Sequence, residues 1–242
     1  MKIKFNMNIK KHIPNIITLL NLFCGCIALV FVADCKFEYA FLFVSLGIFL
    51  DFFDGFFARL FKVTSPLGLQ LDSLADMVTS GVVPGFVMFQ MFQRLEYDLE
   101  LISVFSFFGF IITLGACYRL ANFNIDTRQT DSFIGLPTPA NALFILSLPL
   151  ITGSFHGYNF SSIIYSEWIL MAITLISAYI MNAEIALFSL KIKSYNLKDN
   201  LLQVVFLLIS IAIIAVFQYL GVAIVILFYV LLSVLINVFK KK

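Results

Sequence analysis

Residues 51–76 read DFFDGFFARLFKVTSPLGLQLDSLAD, placing Asp51, Asp54, Asp72 and Asp76 in an otherwise apolar stretch. As a pattern this is D-x2-D-G-x2-A-R-x8-G-x3-D-x3-D. On a helix, Asp51, Asp54, Gly55, Ala58 and Arg59 share one face through steps of three and four. Gly68, Asp72 and Asp76 do the same on the next helix. Ser65 suits an N-cap and Pro66 a first helical position, so the chain is expected to turn between them. Folding the two helices antiparallel sets Asp51 opposite Asp76, Gly55 and Asp54 near Asp72, and Arg59 near Gly68. Asp51 then lies about 12 Å from Arg59 along the axis. Four carboxylates converge in a cavity that opens at the Arg59 end.

Such carboxylates cannot all stay charged in a low dielectric without cations, and one rim arginine is too few. Two divalent cations would neutralise them, and hard oxygen ligands favour Mg2+ or Mn2+. A two-metal carboxylate site suits phosphorus chemistry, because the ions stabilise both the entering and the leaving oxygen. Gly55 is disfavoured in a helix by about 1 kcal/mol relative to alanine. Close approach of a substrate or a facing helix would compensate, as it would for Ala58 and Gly68.

The elements that carry these residues are membrane spans. The 242 residues are 61% hydrophobic and 12% charged, too little charge for a soluble domain of this size. Apolar runs at about 13–33, 37–60, 67–92, 101–122, 137–155, 165–190, 200–217 and 220–239 predict an all-α integral membrane protein of about eight transmembrane helices. With the N-terminus inside, 14 of the 16 Lys and Arg fall on inside segments, leaving only Lys36 and Arg94 outside. Both termini are therefore expected to be cytoplasmic. The first span follows a basic start without a small-residue cleavage site and is expected to be retained. Cys24, Cys26, Cys35 and Cys117 have no zinc or disulfide spacing, and His12 and His156 lie near opposite faces, so a thiol or histidine metal site is not expected. The domain reading is a basic segment 1–12, a catalytic core 13–190, and a loop with two C-terminal helices over 191–242. The basic segment suits anionic headgroups.

The residue 51–76 pattern resembles the signature of the CDP-alcohol phosphatidyltransferases, and every signature position is matched. The resemblance implies a dimeric membrane core of six helices that couples a CDP-activated lipid to an alcohol and releases CMP. It implies that Asp51, Asp54, Asp72 and Asp76 bind the metals, that Asp76 is also the general base, and that Gly55, Arg59 and Ser65 contact the cytidine diphosphate. Beyond the signature, IPNIITLLNLFCG, GACYRLANFNID and FIGLPTPANA are similar to the phosphatidylserine-synthase branch of the family. In that likeness Asn15 and Thr18 match positions that contact CDP-diacylglycerol. The implied setting is a bacterial cytoplasmic membrane, with the site facing the cytoplasm, CDP-diacylglycerol and L-serine as substrates, membrane lipid and a second copy of the chain as partners, and no nucleic acid. One position departs: Asn122 stands where that branch usually has arginine.

A serine acceptor needs a cation for its carboxylate. Arg119, Asn122, Asn124 and Arg128 cluster at the inner end of the fourth span and are the candidates, alongside a reading as ordinary inside charge and loop caps. The signature alone does not separate serine from glycerol 3-phosphate or inositol. Glycerol 3-phosphate is a dianion and would want a denser basic cluster than two arginines. A divalent-cation transporter, the reading from another class, requires acids along a route to both faces. Here the acids collect near one face, with Glu184 in the sixth span as the outlier.

Overall fold

A computed structural model of the chain describes residues 12–63, 65–95, 104–126, 134–151, 154–155, 158–159, 163–188 and 200–240. Helix α1 spans Ile13–Ala33 and α2 spans Phe37–Phe61. A tight turn joins them, with Cys35 in the left-handed region. Helix α2 stops where Lys62 adopts φ 55°, and the Val63 N–H bonds back to the Ala58 carbonyl at 3.0 Å. This left-handed cap satisfies carbonyls that the helix end would otherwise leave open.

Pro66 then opens α3 (Pro66–Asp76), with the Ser65 hydroxyl accepting from the Gly68 N–H at 3.0 Å, the cap anticipated from sequence. The helix widens into a π turn over Met77–Val82 before α4 (Val83–Gln93). Pro84 has no N–H to offer the Ser80 carbonyl four residues back, and a π turn accommodates that lost bond. Helix α5 (Ile111–Ile125) is led by a 3-10 stretch, Val104–Phe110. Helix α6 (Thr138–Ser147) ends in a 3-10 turn to Leu150. Helix α7 covers Glu167–Asn182 and α8 covers Leu201–Lys240. The rest of the described structure includes a two-residue antiparallel pairing of β1 (Ser154–Phe155) with β2 (Tyr158–Asn159).

Among the described residues, five helices are long and apolar enough to cross a membrane: Ile13–Ala33, Phe37–Phe61, Pro66–Gln93, Val104–Ile125 and Leu201–Phe239. Their outward faces carry large apolar side chains, for example Phe23, Phe52 and Leu114. Exposed apolar surface on this scale marks an integral membrane protein. Pro66–Gln93 is the most enclosed of the five and forms the centre of the fold. Val83, Val87, Met88 and Met91 are fully buried there.

Three expectations need correction. Helices α2 and α3 do not pack on one another along their length; α1 lies against both and wedges them apart. The carboxylates of the two helices still meet, with oxygens of Asp51, Asp54 and Asp72 within 4.8 Å of one another. The sixth run, expected over 165–190, is helical only to Asn182. Beyond it Gly135 N–H donates to Ile185 O at 2.8 Å and Ile134 pairs antiparallel with Ala186, which draws the chain out straight, while Leu136 N–H takes the Ile180 carbonyl in the last turn of the helix at 3.0 Å. The run expected over 137–155 leaves the helical state after Leu150.

The two C-terminal runs form one long helical element broken at Gln218, where φ is 50° and ψ −122°. The arms fold back on each other, with the Phe206 and Phe228 rings stacked at 5.8 Å.

Gly135 is the conformational lock of the 134–137 turn. Its φ is +75°, and a Cβ there would lie 2.4 Å from the Met181 carbonyl oxygen. Gly135→Ala is expected to destabilise the protein by at least about 2 kcal/mol. Thermal unfolding of the variant in detergent reads this directly.

Candidate active site

The elements bring the acids together from two sides. Helix α2 supplies Asp51 and Asp54, one turn apart, and α3 supplies Asp72. One oxygen from each of these three lies within 4.8 Å of the others. Asp76, one turn further along α3, is not part of that trio and is 9% exposed. None of the four pairs with a described lysine or arginine. Asp51 Oδ1 is buried and has no hydrogen-bond partner among the described residues. An oxygen-only donor set of this kind, with a buried carboxylate oxygen left without a donor, fits a hard divalent cation.

Helix α1 braces the cluster from the third side. Thr18 Oγ1 donates to Asp54 Oδ2 at 2.5 Å and lies 3.0 Å from the Pro14 carbonyl oxygen. Three residues on, Asn21 Nδ2 donates to Asp76 Oδ1 at 3.3 Å. Thr18, expected to touch the lipid donor, is thus first a support for Asp54. Asn21 carried no role in the sequence reading, although it ends the P-N-x2-T-x2-N run and shares the Thr18 face.

Two cavities flank the acids. The larger, about 510 Å3, is lined by Asn15, Thr18, Asp54, Gly55, Ser65 and Asp72 among others. It gathers four of the five residues expected at the CDP-diacylglycerol. The fifth, Arg59, is exposed, and its guanidinium lies over Gly55, 4.0 Å from where a Cβ would sit. Nothing else approaches that position, so Gly55 leaves open cavity and not a helix contact. Gly55→Ala should therefore gain helix stability, by about 1 kcal/mol, yet raise the KM for a CDP-lipid about tenfold. Steady-state kinetics alongside a melting curve would show the opposite signs.

The smaller cavity, about 200 Å3, is lined by Asp51, Asp72, Asp76, Arg119, Phe123 and Thr138 among others. Asp72 borders both cavities and Asp76 only this one. Arg119 is 7% exposed, and its Nη1 donates to Ile134 O at 2.6 Å and to Met181 O at 2.8 Å. It straps the 134–137 turn to the end of α7, and its side chain lines the smaller cavity. Asn124 faces Ser73, donating from Nδ2 to Ser73 Oγ at 2.9 Å.

Asn122 lies elsewhere. It lines a third, polar pocket with Tyr118, Arg119, Asp126, Asn182 and Glu184. Glu184 follows α7 in the extended segment. Arg128, the remaining acceptor candidate, lies outside the described residues.

The described structure thus sets a cluster of acids from two helices, able to hold a metal ion, between a larger and a smaller cavity of a membrane protein. The family model for CDP-alcohol phosphatidyltransferase matches residues 11–181, and the chain belongs to that family of enzymes. Among similar proteins is the CDP-diacylglycerol–serine O-phosphatidyltransferase of Bacillus subtilis (strain 168), 36% identical over 141 residues, covering 57% of this chain and 75% of that protein. The enzyme of the same name from Helicobacter pylori (strain ATCC 700392 / 26695) is 30% identical over 200 residues, or 80% of this chain and 79% of that protein. The one from Methanocaldococcus jannaschii is 33% identical over 143 residues, covering 59% of this chain and 63% of that protein.

Proposed function

We propose that this chain transfers the phosphatidyl group of CDP-diacylglycerol to the hydroxyl of L-serine, giving phosphatidylserine and CMP. The observation that carries the reading is the placement of the carboxylates as a wall between two cavities of unequal size. The 510 Å3 cavity has room for a nucleoside diphosphate, with Arg59 at its edge to meet the phosphates. The 200 Å3 cavity has room for a small polar alcohol such as serine. The Nε and Nη2 donors of Arg119 suit a single carboxylate there. The departure at Asn122 falls in the third pocket, so it leaves the acceptor cavity's charge intact.

Asp51, Asp54 and Asp72, with one oxygen of Asp76, would hold two divalent cations, Mg2+ or Mn2+. When bound these supply charge neutralisation for the diphosphate and for the departing CMP. The chain's own groups do the rest. Arg59 and the cavity around Gly55 orient the diphosphate. Arg119 holds the serine carboxylate so that its hydroxyl meets Asp76. Asp76 accepts the hydroxyl proton as the serine oxygen attacks the lipid-side phosphorus in line. The new P–O bond forms as the bond to the CMP oxygen breaks.

We read residues 13–190 as the catalytic core, with the C-terminal helical pair as an addition. Both termini face the cytoplasm of a bacterial cytoplasmic membrane, about eight helical segments cross it, and two copies associate. The acids then open toward the inner leaflet, where a donor with two acyl tails can enter sideways. The test is detergent-solubilised protein given CDP-diacylglycerol, Mg2+ or Mn2+, and serine, glycerol 3-phosphate or inositol in turn, with lipid products identified. Phosphatidylserine formed with serine alone is expected; product from another acceptor and none from serine would overturn the assignment.

A further inference from the structure

We infer that Asn21 is a positioning residue for Asp76, held in one orientation by a cage of α1, α2 and the π turn. This rests on the reading of Asp76 as the general base.

Asn21 is fully buried, and its Nδ2 donates to Asp76 Oδ1 at 3.3 Å. Its backbone carbonyl accepts from Thr79 Oγ1 at 3.2 Å. Thr79 lies three residues beyond Asp76, within the π turn, and is also fully buried. Asn21 therefore grips the α3 end twice, once through the acid itself and once through the turn that follows it.

Two glycines make the grip possible. A Cβ on Gly25, one turn along α1, would lie 2.6 Å from Thr79 Oγ1. A Cβ on Gly47 of α2 would lie 2.7 Å from Asn21 Oδ1 and 2.9 Å from Thr79 Cγ2. The amide is thus closed in by Gly47 on the oxygen side and by Asp76 on the nitrogen side. Oδ1 has no hydrogen-bond partner among the described residues. Turning the amide over would point that oxygen at a carboxylate, so the acid itself fixes which end faces it. The consequence is that one oxygen of Asp76 is anchored and the other is left for the acceptor hydroxyl in the cavity Asp76 lines. Asp54 is braced by Thr18 in the same manner, so one face of α1 aligns acids from both neighbouring helices.

The prediction is a fall in kcat without a change in donor binding. Asn21→Ala should lower kcat about 10- to 100-fold and leave the KM for CDP-diacylglycerol within twofold, because the donor cavity is not lined by Asn21. Gly47→Ala, remote from both cavities, should lower kcat in the same way by pushing on the amide. The double variant Asn21→Ala/Gly47→Ala should lose less than the product of the two single losses, since the amide being pushed is gone and only the Thr79 methyl still meets the new Cβ. Multiplicative losses in the double variant, or a rise in donor KM with kcat retained, would overturn the proposal. Should Asn21→Ala fail to fold, as judged by monodispersity and melting, a wild-type kcat in Gly47→Ala overturns it and a lowered one supports it. The underlying reading fails separately: turnover by Asp76→Asn removes the base, whereas a wild-type kcat in Asn21→Ala with Asp76→Asn dead removes only the positioning role.

Discussion

Asp76→Asn should reduce serine-dependent CMP release by at least about a thousandfold while the protein still folds and purifies normally. General-base transfer contributes about 10²- to 10⁴-fold in enzymes, and an amide cannot take the hydroxyl proton. The substitution is isosteric, and the Asn21 Nδ2 donor meets an amide oxygen in place of a carboxylate oxygen, so the α1–α3 contact survives. Binding of CDP-diacylglycerol should weaken far less than turnover, because Asp76 does not line the larger cavity and would give the ions only one oxygen among several. Equilibrium binding of the donor with single-turnover CMP release separates the two effects. Appreciable turnover by a folded variant would show that the proton goes elsewhere.

The second large effect is expected at Asp51. Its Oδ1 is buried with no donor among the described residues, and its carboxylate belongs to the trio within 4.8 Å. Asp51→Asn removes one negative charge and replaces a strong oxygen ligand with a weak one. Activity at ordinary Mg2+ should fall about a hundredfold and recover in part as Mg2+ or Mn2+ is raised. Chelation of divalent ions should abolish the wild-type reaction and be reversed by adding them back. An Asp51→Asn titration that overlays the wild type would remove Asp51 from the ion site.

Much of this site was legible in the sequence because its grammar is local. The acids recur at helical steps, Ser65-Pro66 announces the start of α3, and Gly55 in a helix asks for an explanation that the open cavity supplies. The outlines of α1, α2 and the Pro66–Gln93 helix follow from apolar run length and turn chemistry alone. The break at Gln218 was visible only as a nearly absent loop between two apolar runs.

What escaped was tertiary. A short connection between α2 and α3 suggests direct packing, but α1 takes the space between them, and the small faces at Gly25 and Gly47 were the available hint. The end of α7 at Asn182 could not be seen from hydropathy, because apolar residues resume at Ile185 and the extended backbone is imposed by the 134–136 segment. Arg119 looked like one of several inner-face cations. Its distinction comes from burial, two carbonyl partners and a place on the smaller cavity, none of which is encoded by its neighbours in sequence. Asn122 and Glu184 line one pocket that only the folded chain creates, so their proximity could not be read from their neighbours in sequence.

The most direct test of the central claim is a structure of the protein with Mn2+ and CDP-diacylglycerol, recorded with anomalous data. The account predicts manganese peaks among Asp51, Asp54 and Asp72, the diphosphate against them in the larger cavity, and the smaller cavity by Asp76 left for the acceptor. Manganese bound away from those side chains, or cytidine seated in the small cavity beside Arg119, would contradict it.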